Sequence, residues 1–125
     1  METISAAFVV NCKHCEGHDH WDQRHEFLAD PTISLIAFRP DLDDPLNGRL
    51  IFLHDTCGAE LRLPIILFLD LYQGVRYDQL RYGKPDCNKH CLTETDLSRC
   101  NNRCSMASLR EVLAVISGWE KGSIT

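Results

Sequence analysis

A chain of 125 residues with 44% hydrophobic content has material for one modest domain, or for two small lobes that each need reinforcement. Its 18 acidic and 13 basic side chains give a formal net charge of −5, which disfavours polyanionic nucleic acid, whose non-specific binding rests on Lys and Arg. No apolar run reaches the roughly 18 residues that suggest a membrane span. Residues 1–10 carry Glu2 where a secretory signal has a basic stretch, so a soluble cytoplasmic protein with reduced thiols is expected.

Residues 4–10 are apolar and β-prone and predict a first strand. A short helix over 20–28 offers Trp21, Phe27 and Leu28 as its apolar side, with Asp30-Pro31 closing it. Residues 33–38 and 49–53 are further strands, and the latter runs directly into His54. Between them the prolines, acids and Asn47-Gly48 pair of 39–48 predict a loop that turns into a hairpin, with His54 and Cys57 at its end. Pro64 suits a helix start and Gly74 a helix end, so the apolar run 65–72 predicts a short buried helix, with a strand as the alternative. Met106, Leu109, Val112, Leu113 and Ile116 recur at helical spacing behind a Ser105 cap, with Arg110, Glu111 and Ser117 on other faces. Gly118 is expected to fray this last helix and Gly122 to end it. The fold class expected is α+β: a β-rich lobe over 1–63 and a helical lobe over 64–125, or both in one compact domain.

Cysteine spacing is the strongest chemical signal. Seven cysteines form the pairs Cys12-x2-Cys15, Cys87-x3-Cys91 and Cys100-x3-Cys104, and the remaining Cys57 has His54 three residues before it. Those eight soft ligands suffice for two tetrahedral metal sites, whereas disulfides would strand one thiol. Zinc is the expected ion, since it takes thiolate and imidazole ligands from pairs a few residues apart without redox change. Loading both sites with thiolates takes the net charge to about −8.

Cys12-Lys13-His14-Cys15-Glu16-Gly17 has the form of a zinc knuckle, a tight turn in which glycine tolerates positive φ. His54-Asp55-Thr56-Cys57-Gly58 repeats that form with histidine in first place, and both turns follow predicted strands. Over residues 8–63 the chain thereby resembles the zinc-ribbon and rubredoxin-like folds, departing from them in its histidine ligand and long spacer. The resemblance implies two knuckles that share one structural ion. A knuckle, a His-x2-Cys-Gly turn and twin Cys-x3-Cys pairs ahead of a helix also resemble small cysteine-rich bacterial proteins, a likeness that implies no activity.

Cys87, Cys91, Cys100 and Cys104 are expected to hold the second zinc. Residues four apart share a face of a helical turn, and Cys104 stands close to a helix start that favours thiolate. The other readings are an iron-sulfur cluster, disulfides, and a thiol switch that releases metal on oxidation. Among the histidines, His18-x-His20 beside acids could hold an open catalytic metal. A polar loop leading to an exposed helix face accounts for it more simply. No nucleophile elbow, phosphate-binding glycine loop or dinucleotide fingerprint is present, and Asp41, Asp43 and Asp44 read as a solvated loop.

The function expected is that of a zinc-binding module with two structural sites, acting through another protein or a second copy of itself rather than as an enzyme. A metal or redox sensor based on the second cluster is the alternative.

Overall fold

A computed structural model describes residues 8–12, 20–41, 43–75, 93–100 and 104–122. The architecture is mixed α and β, with two small antiparallel sheets. Strands β1 (Val10–Asn11) and β2 (His20–Trp21) pair as a short ribbon, with Val10 opposite Trp21 and Asn11 opposite His20. Helix α1 (Arg24–Ala29) follows, then a three-stranded meander of β3 (Ile33–Arg39), β4 (Arg49–His54) and β5 (Ala59–Pro64). Among the described residues, 3-10 helices over Pro45–Asn47 and Ile65–Leu71 and helix α2 (Ser105–Ser117) complete the regular elements.

The meander has one core face. Along β4, Leu50, Phe52 and His54 are buried on one side, while the intervening Arg49, Ile51 and Leu53 belong to the other, as the two-residue period of a strand requires. A bulge at Ile36 shifts the β3 register between Leu35 and Ala37 and returns Phe38 to the core face opposite Leu50. Gly48 opens β4 where the packing leaves no room for a side chain: a Cβ there would lie 2.9 Å from the Phe38 ring. The core joins Phe8, Phe27, Phe52 and Phe68 to Met106, Leu109, Leu113 and Ile116 of α2.

Several elements differ from the sequence reading. Of the strand expected over 4–10, residues 4–7 lie outside the described residues, Phe8 and Val9 are not strand, and pairing starts at Val10; His20 and Trp21 belong to β2, so α1 begins at Arg24. Strand β5 was not anticipated, although Glu60-Leu61-Arg62-Leu63 alternates polar and apolar. The run after Pro64 is helical but of the 3-10 type, with Ile65 and Phe68 buried and Ile66 55% exposed. Helix α2 is capped by Cys104, whose Sγ accepts the Met106 N–H at 3.4 Å, and it stops at Ser117 with Gly118 as its C-cap. Gly122 lies beyond the helix and does not end it.

Arg110 is the largest departure. Expected on an outer face, it is 1% exposed. Its guanidinium donates to the backbone carbonyls of Ser98 and Asp96, so it holds the irregular 93–100 segment against α2. That segment also caps the open edge of the meander, with the Phe38 N–H donating to the Glu94 carbonyl at 2.8 Å.

Candidate metal centre

Two strand ends converge on one point. Alternation along β1 turns Val10 and Cys12 inward and Asn11 outward, and Cys12 is fully buried. His54 ends the core face of β4 and is likewise fully buried. The chain then reverses through 55–58, where the N–H groups of Cys57 and Gly58 both donate to the His54 carbonyl, at 3.2 and 2.8 Å. Gly58 has φ of 77° with nothing within 4 Å of a built Cβ, so the backbone conformation and not crowding selects glycine. The turn leaves Cys57 exposed at the rim.

The three ligand atoms form a nearly equilateral triangle. Cys12 Sγ lies 3.4 Å from Cys57 Sγ and 3.3 Å from His54 Nδ1, and Cys57 Sγ lies 3.4 Å from His54 Nδ1. Bond lengths of about 2.3 Å to sulfur and 2.0–2.1 Å to nitrogen give tetrahedral edges of about 3.5–3.8 Å. The observed edges of 3.3–3.4 Å are a few tenths of an ångström shorter than that range. The two sulfurs are far beyond the roughly 2.05 Å of a disulfide with each other. Among the described residues, Cys12, His54 and Cys57 are the one group of three or more such side chains gathered at metal-binding distance.

A shell of packed rings and hydrogen bonds orients the imidazole. Trp21 meets the His54 ring edge-on at 5.2 Å, and Phe27 and Phe52 continue the stack into the core. Trp21 Nε1 donates to Asp30 Oδ2 at 2.9 Å, and Asp30 Oδ1 accepts from the Thr32 N–H and hydroxyl at 2.8 and 2.7 Å. Burial alone would raise the Asp30 pKa, but hydrogen bonds from Thr32 and Trp21 outweigh it and hold the carboxyl below its ordinary value. The Thr32 carbonyl then accepts the Asp55 N–H at 2.8 Å, which ties this shell to the ligand turn. Sequence reasoning did not place Trp21, Asp30 and Thr32 at the site, although Asp-Pro-Thr is a signature of a side-chain-stabilised turn.

Of the eight expected ligands, Cys12, His54 and Cys57 are brought together, and Cys15, Cys87 and Cys91 lie outside the described residues. Cys100 is partly buried at the end of the 93–100 segment, and Cys104 is buried at the α2 start. His18 also lies outside the described residues. His20 is exposed on β2, with Nδ1 2.5 Å from Asn11 Oδ1. No family model, curated protein or solved structure matches this chain. The site is therefore read from its own geometry. Among the described residues, no helix is long and apolar enough to cross a membrane.

Proposed function

We propose that residues 8–63 form a zinc-ribbon-like module in which Cys12, Cys15, His54 and Cys57 hold one structural zinc ion. The observation that carries this reading is the triangle of two sulfurs and one imidazole nitrogen with edges of 3.3–3.4 Å. Cys15, three residues after Cys12 in the sequence, supplies the fourth position in this reading. Four protein ligands leave no open site for water or substrate, so the ion fastens the fold and performs no chemistry. It neutralises thiolates beside a hydrophobic core and links the β1–β2 ribbon to the meander.

Cys87, Cys91, Cys100 and Cys104 hold a second zinc in the same reading, and the protein works as an interaction or regulatory module in the cytoplasm. The test is elemental analysis of the purified protein with a free-thiol count. Two equivalents of zinc, with every thiol recovered after denaturation in chelator, are expected. Iron in place of zinc, or disulfides among the last four cysteines, would replace the second-site assignment while leaving the first intact. Absence of any tightly held metal would end the proposal.

A further inference from the structure

The outer face of the meander, turned away from His54, gathers three arginines around a recess of about 280 Å³ lined by Arg39, Arg49, Ile51 and Arg62. Strand register creates the cluster: Arg39 stands directly opposite Arg49, and Arg62 directly opposite Ile51, two residues along β4 from Arg49. Ile51 is 5% exposed and forms the floor. Glu94 meets Arg39 at 3.1 Å and Glu60 meets Arg62 at 3.5 Å, whereas Arg49 makes no ion pair with any described residue.

This placement is costly as pure structure. Like charges directly opposite on antiparallel strands repel, and a chain of net charge −5 has only 13 basic side chains to distribute. Covering Ile51 needs only an aliphatic stem, which a glutamate facing Arg49 would provide with attraction in place of repulsion. Arginines from three strands lining one recess instead offer planar, multiply donating forks that match a phosphate group.

We propose that Arg39, Arg49 and Arg62, brought together by the meander register over Ile51, bind a small soluble ligand through its phosphate or diphosphate group. The recess is just below the roughly 300–1,000 Å³ of whole-ligand clefts, so it takes the anionic group and leaves the remainder of the ligand outside. The acidic balance of the chain repels long polyanions and anionic membranes, which confines recognition to a local charge. The inference is independent of the metal centre.

Isothermal titration with inorganic pyrophosphate tests it on the full-length metal-loaded protein at constant ionic strength, with sulfate as control. NMR shifts are followed at the arginine Nε–H groups and the Ile51 methyls. Saturable one-to-one binding is expected, with shifts centred on Ile51 and the three arginines, and affinity at least tenfold weaker in Arg49→Gln and in Arg62→Gln. Both variants change exposed side chains, and an unchanged amide spectrum confirms their fold. The proposal is overturned by absence of saturable binding, by equal response to sulfate, by affinity unaltered in both variants, or by shifts centred on Trp21 at the metal ligands.

Discussion

The two ends of the chain solve the problem of holding cysteines in place by different means. Around Cys12, His54 and Cys57, regular strands do the positioning: the β4 alternation that buries Leu50 and Phe52 also buries His54, and the aromatic stack from Phe52 through Phe27 to Trp21 ends against its ring. Around Cys100 and Cys104, the 93–100 segment has no regular structure, and side-chain hooks attach it. Arg110 clasps its carbonyls, Arg99 Nε pairs with Glu111 Oε1 at 3.2 Å, and Leu97 packs on the core. Cys12 and His54, at strand ends, inherit the rigidity of the sheets. Cysteines on an irregular segment depend on each hook separately, so the two regions should fail differently.

The largest effect expected is at the strand-borne site. His54→Ala, which removes one ligand and leaves a cavity beside Trp21, should cost more than about 4 kcal/mol, the range reached on loss of a metal. Chelation of the wild-type protein should produce the same loss of near-ultraviolet circular dichroism from Trp21. A variant that keeps both its melting temperature and this signal would mean that the strands hold without the ion.

Next comes the hook at the other end. Arg110→Met keeps the aliphatic bulk but leaves the Ser98 and Asp96 carbonyls without their charged donor, and about 2–4 kcal/mol should be lost in denaturant unfolding. Amide exchange should quicken over 93–100 before it does in β4, which separates a local failure from a global one. Uniform acceleration would erase the contrast between the regions.

A smaller cost is expected in the ligand turn. Gly58→Ala forces a side chain into left-handed backbone without any steric collision, costing about 1–2 kcal/mol, and Gly58→Asn should cost less because asparagine tolerates that region. Equal stability of the alanine variant in chemical denaturation would contradict the φ of 77°.

The smallest effect concerns the surface. Arg24 donates to both Asp70 oxygens, at 2.6 and 3.0 Å, and that pairing holds the Asp70 carboxyl below its ordinary value of 3.8. The folded carboxyl is the stronger acid, so the pair contributes fully above that ordinary value and its contribution fades as pH falls through the lower, folded one. Asp70→Asn should therefore remove roughly 1 kcal/mol or less at neutral pH, because the carboxylate is largely solvated, and nothing at the most acidic end. A difference that grows on acidification would reverse the sign.

These contrasts also explain what could be read from the sequence. The strands read over 33–38 and 49–53 follow from β-prone apolar runs and the α2 core face from three-to-four-residue apolar spacing, and the spacing of His54 and Cys57 needs no tertiary knowledge. The hairpin is present, but its loop lies at the end of β4 opposite His54. His54 and Cys57 are presented by the next turn, between β4 and β5, because β5 was not foreseen. Arg110 reads as lying on a face other than the core one because its helical position is polar by pattern, and tertiary contacts, among them those with the 93–100 segment, bury it. His20 and Trp21 read as helical from their spacing to Leu28, yet pairing with Val10 and Asn11 draws them into a strand. Non-local contacts, and not local preference, decide both cases.

The most direct measurement is zinc-edge X-ray absorption on a Cys87→Ser/Cys100→Ser variant, which leaves the strand-borne site as the place for a tightly held ion. One zinc per chain is predicted, bound by three sulfurs at about 2.3 Å and one nitrogen at about 2.0–2.1 Å. A shell of oxygen and nitrogen alone, or a chain that retains no zinc while staying folded, would contradict the account.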